Sequence, residues 1–134
     1  MPSDRSRLLD ARAIRLITLF EEITGAQVRD CLPGERVYFL VADASRAIGK
    51  RGGRVKRVER LLGKPVKVLE YSSDPRRFIM NLVPGCLEVE LDESKARVRV
   101  AHSEKAKLIG RGGSNLRAMR ELLKRNAGIS LQVI

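Results

Sequence analysis

Two short glycine-containing stretches hold the residues best suited to chemistry. They read Ile48-Gly49-Lys50-Arg51-Gly52 and Ile109-Gly110-Arg111-Gly112-Gly113, an apolar residue followed by Gly-x-x-Gly with mostly basic residues between the glycines. Glycine admits positive φ angles and lets another backbone approach closely. The amphipathic pattern after each stretch predicts a helix, whose first N–H groups and positive dipole end favour phosphate. The expected chemistry is therefore noncovalent contact with phosphate.

The two stretches belong to an internal repeat, because Ile48 and Ile109 lie 61 positions apart and other residues match at the same spacing. One Gly-x-x-Gly is a weak signal, since glycine is common in loops. Two copies whose predicted core positions match on both sides of the loop indicate a duplication. The matching positions are Val37 and Val98, Phe39 and Val100, Val55 and Leu116, Val58 and Met119, Leu61 and Leu122, and Leu62 and Leu123.

The composition favours two small basic modules. The chain has 134 residues, a net charge of +11 and a pI near 10.5, which together indicate a polyanionic partner. Two modules of roughly 65 residues would each be near the lower limit for a self-sufficient core, so we expect them to pack closely. The aromatic share of 4% argues against modules that stack bases on exposed aromatic rings.

Several other classes of function lack their sequence signals. No apolar run reaches the roughly 20 residues of a membrane span, and residues 1–9, a polar and basic lead-in, have no apolar signal core. We therefore expect a cytoplasmic protein. Cys31 and Cys86 lack metal-ligand spacing and are interpreted as small half-buried residues, with a disulfide as the alternative.

No pattern indicates catalysis. His102, the only histidine, has no partner for a triad or a metal site and is interpreted as a surface or cap residue. Neither loop has the G-x-x-x-x-G-K-[ST] spacing of nucleotide hydrolases. We expect no enzyme activity, no cofactor and no metal.

The first half of the chain predicts the order α-β-β-α-α-β. Its first helix starts from Asp10 and buries apolar residues up to Gly25, and Asp43 caps the short helix before the first loop. The buried positions of the first helix are Ile14, Leu16, Ile17, Phe20 and Ile23; the later elements are strands at 26–32 and 36–42, helices at 43–48 and 54–62, and a strand at 65–71.

The second half predicts the same order after a short joint at residues 72–75, where Asp74 and Pro75 begin a helix. Alternation predicts that Leu87, Val89 and Leu91 face inward along one strand. Ser103, with the acid that follows it, is expected to open the helix before the second loop. The elements are a helix at 75–83, strands at 86–91 and 97–101, a short helix from 103, a helix to about 127 and a strand at 129–134.

The predicted ligand contacts surround the two loops. Ile48 and Ile109 are interpreted as the apolar edge of a groove for bases, although core packing alone also explains them. Arg97 and Arg99, on the outer face of a strand, fit phosphate contact and plain solvent exposure equally well. The basic and polar candidates, each of which also fits a solvated face, are Arg46, Arg54, Lys56, Arg57, Lys107, Asn115, Arg117 and Arg120, beside Lys50, Arg51, Arg111 and the loop glycines Gly49, Gly52, Gly110, Gly112 and Gly113.

The helix, Gly-x-x-Gly, helix pattern resembles the KH module, which clamps about four nucleotides of single strand. Each copy has a helix and two strands before this unit and one strand after it, which fits the type II arrangement. The expected fold is α+β, with two tandem, closely packed type II KH domains at residues 1–72 and 73–134.

A stand-alone pair of such domains with these two loops resembles the archaeal NusA-like transcription factors, from about Asp10 to Ile134. The resemblance implies binding of single-stranded RNA in transcription termination or antitermination, by a monomer that contacts RNA polymerase or other transcription machinery. Bacterial NusA carries a polymerase-binding domain and an OB-type barrel before its KH pair, and neither is expected here. Two alternatives remain open: a KH protein of ribosome assembly or RNA processing, and a protein-interaction scaffold.

Overall fold

The computed structural model describes residues 10–134, and the lead-in at residues 1–9 lies outside the described residues. The chain divides between Tyr71 and Ser72 into two compact units. Each described unit combines helices with a three-stranded sheet. The element order in both is α-β-β-α-α-β, with a short 3₁₀ turn between the two consecutive helices. This is the order that the sequence predicts.

The first unit is organised around its central strand. The sheet order is β1-β2-β3, in which β2 pairs antiparallel with β1 and parallel with β3. All five residues of β2 are buried, as expected for a strand with neighbours on both sides. The elements are α1 (Ala11–Thr24), β1 (Val28–Leu32), β2 (Val37–Val41), α2 (Ala44–Ile48), the turn Lys50–Gly52, α3 (Gly53–Leu62) and β3 (Val66–Glu70).

Local signals set the ends of α1, and its apolar stripe forms the core. The carboxylate of Asp10 accepts a hydrogen bond from the N–H of Ala13 at 2.8 Å, which satisfies one of the free N–H groups at the helix start. Gly25 ends the helix in the left-handed conformation. Phe20 packs on Phe39 of β2, with ring centroids 4.0 Å apart.

Two apolar residues assigned to buried helix faces are exposed instead. Ile14 lies about 100° around α1 from Ala13, beyond the stripe that contacts the sheet, and is exposed. Leu61 lies on the opposite side of Val58 from the half-buried Leu62 and is also exposed. The predicted burial of both residues is wrong, because each face that packs is narrower than the apolar pattern.

The second unit repeats this plan. Its sheet order is β4-β5-β6, in which β5 is antiparallel to β4 and parallel to β6. Asp74 accepts from the N–H of Arg76 at 3.3 Å and Pro75 begins the helix, as predicted. The elements are α4 (Pro75–Leu82), β4 (Cys86–Asp92), β5 (Lys95–Val100), α5 (His102–Ile109), the turn Arg111–Gly113, α6 (Ser114–Ala127) and β6 (Ser130–Val133).

Two local predictions in the second unit are wrong. Leu87 is 62% exposed, because the register shifts between Cys86 and Glu88, and a bulge of this kind breaks the inward-outward alternation. Helix α5 begins at His102 without a side-chain cap. The N–H of Glu104 donates to the carbonyl of Ala101 at 2.8 Å, so backbone closes the turn that Ser103 was expected to open.

Candidate nucleic-acid interface

The first glycine of each loop has a conformation that other residues essentially do not adopt. Helix α2 ends at Gly49, with φ 77° and ψ 179°, and α5 ends at Gly110, with φ 76° and ψ 176°. This combination is nearly exclusive to glycine. The fourth residues of the loops, Gly52 and Gly113, are left-handed at φ 72° and 79°. The two loops therefore follow the same backbone path.

Space as well as conformation requires glycine at the first position. A Cβ on Gly49 would lie 2.7 Å from Cγ of Arg54, and a Cβ on Gly110 would lie 2.8 Å from Cβ of Asn115. In both units the second residue of the helix after the loop therefore packs directly against the first glycine of the loop.

Arg54 and Asn115, which occupy equivalent positions, connect the two helices around each loop. Nη1 of Arg54 donates to the carbonyl of Arg46 at 2.8 Å. Nδ2 of Asn115 donates to the carbonyl of Leu108 at 2.8 Å. Both carbonyls lie in the last turn of a helix, where carbonyls lack intrahelical partners. The two side chains thus hold the loop geometry.

The burial of Asn115 changes its interpretation. The sequence places it among the RNA contacts, but its residue is only 5% exposed and its amide is committed to Leu108. A buried amide without a partner is costly, so the polar residue is explained by the hydrogen bond. We assign Asn115 a positioning role.

The loop tips share one unusual conformation. Arg51 has φ 55° and ψ 28°, and the equivalent Gly112 has φ 60° and ψ 19°. The left-handed region costs a non-glycine residue about 1 kcal/mol or more. The first unit therefore carries a charge where the second has the residue that this backbone favours. Lys50, Arg51 and Arg111 are all exposed.

An apolar residue lies beside each basic tip. Ile48 is 38% and Ile109 is 40% exposed, whereas the residues before them, Ala47 and Leu108, are buried. Core packing, the alternative left open by the sequence, does not explain side chains this accessible. Each loop thus combines cations with a partly exposed isoleucine.

The remaining basic candidates differ in how they are engaged. Arg46 and Arg57 are exposed. Nζ of Lys107 lies 3.7 Å from the carboxylate of Glu104. Nη1 of Arg117 donates to the carbonyl of Gly112 at 2.8 Å, back onto the second loop. Nε of Arg120 donates to the carbonyl of Leu131 at 3.2 Å, so this residue connects α6 to β6.

The outer face of β5 is charge-compensated. Arg97 lies 3.8 Å from the carboxylate of Glu90, and Arg99 pairs with Glu88. These cross-strand pairs explain both the exposed acids of the hairpin and the exposed arginines. The solvent-exposed interpretation of the two arginines therefore fits the structure without a ligand.

Sequence reasoning missed one group that positions the first loop. Oε1 of Glu70, the last residue of β3, accepts from the N–H of Ala44 at 2.9 Å, which fixes the start of α2. Asp43 caps the same helix, and its pKa is lowered by hydrogen bonds from the Ser45 hydroxyl and the Arg46 amide. The only sequence signal for this contact is an acidic residue at the end of β3.

Other candidate chemistry is limited within residues 10–134. Cys31 is buried and Cys86 half-buried, and neither is part of a disulfide in the structure. The described residues contain no cluster of three or more His, Cys, Asp or Glu placed to hold a metal. No helix in this part of the chain is long and apolar enough to cross a membrane.

Comparison with known proteins places the chain in one family, although no protein-family model matches it. It is 37% identical over 129 residues to a Halococcus morrhuae protein named probable transcription termination protein NusA, covering 90% of this chain and 93% of that protein. A Methanocaldococcus jannaschii protein of the same name is 33% identical, with 91% and 72% coverage. The crystal structure of APE1850 matches with a TM-score of 0.72 and 33% identity, covering 93% of this chain and 99% of that one. The chain belongs to the family of archaeal NusA proteins.

Proposed function

We propose that the chain is a factor of transcription termination or antitermination that binds single-stranded RNA with its two Gly-x-x-Gly loops. The observation that carries the proposal is the repeated loop geometry: each loop has glycine-specific angles, an exposed cation at its tip and a partly exposed isoleucine. The net charge of +11 suits a phosphate backbone. The relatives' names supply the link to transcription termination.

We assign each half to a type II KH domain, at residues 1–72 and 73–134. The support is the order α-β-β-α-α-β with the Gly-x-x-Gly between two consecutive helices. The parallel pairing of the last strand of each unit with the middle strand adds to it. In KH modules this loop clamps about four nucleotides of backbone.

In the proposed mechanism, phosphates occupy the loops and bases occupy the apolar surface beside them. The N–H groups at the start of α3 and α6 and the cations Lys50, Arg51 and Arg111 attract the phosphates. Ile48 and Ile109 contact unstacked bases. Arg46, Arg57, Lys107 and Arg117 add charge near the strand, whereas Arg54 and Asn115 hold the loops in shape.

The test is fluorescence anisotropy with short single-stranded RNAs and charge-changed variants of both loops. Lys50→Gln with Arg51→Gly removes the two positive charges of the first tip, the same change in net charge as Arg→Glu, and places a glycine where the second loop has Gly112. Arg111→Glu changes the second tip. The exposed Arg77, away from both loops in sequence, provides the control Arg77→Glu.

We expect each loop variant to weaken binding severalfold more than Arg77→Glu, with unchanged circular dichroism. Equal losses in all three variants would mean that the charge acts diffusely and would overturn the loop mechanism.

The transcription role needs a separate experiment. We expect RNA polymerase subunits to be recovered with the tagged chain, and nascent transcripts to be crosslinked to it. Recovery of ribosomal precursor RNA alone would favour ribosome assembly or RNA processing, and recovery of protein partners without RNA would favour a scaffold.

A further inference from the structure

A line of cations leads away from the first loop along α3. Lys56, Arg60 and Lys64 are spaced four residues apart, so the two on the helix share one face and the third follows just beyond its end. Together with Glu59, Gly63 and Pro65 they line an open cleft of about 540 Å³. The line begins at the loop itself, because Cε of Lys56 lies 3.7 Å from where a Cβ on Gly52 would be.

The cleft has a net positive charge, because three cations and one carboxylate line it. Oε2 of Glu59, the one acid of the lining, accepts from the N–H of Val66 at 2.9 Å. Nζ of Lys64 donates to the carbonyl of Gly34 at 3.1 Å, which holds the ammonium in place. An ammonium has three donors, so Lys64 retains capacity for another acceptor.

The second unit has a different arrangement at the equivalent positions, Arg117, Glu121 and Arg125. Oε2 of Glu121 and Nη1 of Arg125 form an ion pair at 2.7 Å, and Arg117 donates to Gly112. An acid thus replaces the middle cation, and the neighbouring cation is neutralised. At these three equivalent positions, the line of cations continues past the loop in the first unit and is interrupted by Glu121 in the second.

We propose that the RNA strand held by the first loop continues along Lys56, Arg60 and Lys64, and that Glu121 interrupts the equivalent track in the second unit. This inference rests on the proposed RNA binding and deepens it. Lys56 and Arg60 are separated by about 6 Å along the helix axis, and Lys64 extends the line past the helix end, so the track can follow the backbone beyond the loop segment. The ligand chemistry is the phosphodiester of the same single strand.

The matched test copies the second unit's residue into the first. Arg60→Glu reproduces Glu121, and Arg77→Glu is the control with the same change in net charge. Binding of the full chain is measured for an RNA of about four nucleotides, the length of a loop segment, and for one about three times longer. A titration against salt accompanies each.

We expect Arg60→Glu to weaken binding of the longer RNA severalfold more than the control does. It is also expected to reduce the slope of log K against log salt for that RNA by about 0.7, the value for one phosphate contact on a single strand. Affinity for the short RNA is expected to change equally in Arg60→Glu and Arg77→Glu. The reciprocal Glu121→Arg is expected to strengthen binding of the longer RNA.

Three results would overturn the inference. One is an equal loss for Arg60→Glu and Arg77→Glu on the longer RNA. Another is a loss of affinity for the short RNA in Arg60→Glu that is as large as the loss for the longer RNA, which would place Arg60 at the loop. The third is a lower number of short RNAs bound per chain, which would mean that the cleft takes a separate molecule. Absence of binding by the wild type at either length would instead overturn the proposed function.

Discussion

At the scale of single residues, two separate physical constraints require glycine at the start of each loop: the backbone angles and the space available for a Cβ. Gly49 and Gly110 have angles that only glycine adopts freely, and a Cβ on either would overlap the helix that follows. Gly53 differs from both, since its φ of −62° is helical and no atom lies within 4 Å of a Cβ built on it. One chain thus contains required and replaceable glycines within a few residues of each other.

Gly49→Ala and Gly110→Ala are therefore expected to lower the free energy of unfolding by about 1–3 kcal/mol, because the backbone must leave its conformation or strain to keep it. Gly53→Ala is expected to be neutral or to raise stability by about 0.4–1 kcal/mol. Denaturant unfolding of the three variants measures both effects. Equal stability of all three would contradict the structural role of the first glycine.

The half-buried Lys67 of β3 gives the fold a dependence on alkaline pH. Its pKa lies below the ordinary value of 10.5, because burial desolvates the ammonium and Arg36 repels it. Between the lowered pKa and 10.5 the unfolded chain binds more protons than the folded chain, so the free energy of unfolding rises with pH across that window.

Lys67→Met keeps the apolar stem and removes the ammonium, so the variant is expected to be the more stable protein at pH 7. The difference from wild type is expected to shrink as the pH approaches 10.5. Unfolding curves at several pH values measure it, with the exposed Lys124→Met as the control. A difference that stays constant with pH would argue against a desolvated ammonium.

At the scale of elements, each loop is held by a contact between the helices on its two sides. Arg54 provides this contact in the first unit and Asn115 in the second. Glu70 adds a link from the sheet to α2 in the first unit. The geometry of each loop thus depends on the packing of the two helices beside it, and substitutions of these contact residues are expected to alter that geometry.

Asn115→Ala is expected to lower the stability of the second unit by about 1–3 kcal/mol, because it removes the partner of a helix-end carbonyl and leaves a cavity. Faster hydrogen exchange of amides in α6 would report the effect. The adjacent exposed Ser114→Ala is the control and is expected to change stability by less than about 0.5 kcal/mol. Similar exchange in the two variants would contradict the positioning role.

At the scale of the whole molecule, the positive charge is organised differently in the two units. The first unit has cations at the loop tip and along α3, and its acids Glu59 and Glu70 accept from backbone amides. The second unit pairs its acids with arginines, at Glu88 with Arg99 and at Glu121 with Arg125. We therefore expect the first unit to dominate the electrostatic part of binding.

If the chain neutralises about six phosphates in total, the logarithm of the binding constant is expected to fall with the logarithm of salt concentration at a slope of about −4. Anisotropy titrations over a range of salt concentrations measure this slope. Removing the first tip's charge is expected to flatten the slope more than Arg111→Glu does. A slope near zero would exclude the electrostatic account.

The sequence by itself determined the duplication, the element order and the starts of helices such as α1 and α4, because these follow from local rules: apolar spacing, cap residues such as Asp10 and Asp74, and glycines at the loops. Only the tertiary structure decided which apolar and polar side chains are buried. Ile14 and Leu87 are exposed because a helix face and a bulge direct them away from the core, and Asn115 is buried because a neighbouring helix end needs its amide. Such burial depends on contacts between distant segments, which local pattern does not encode.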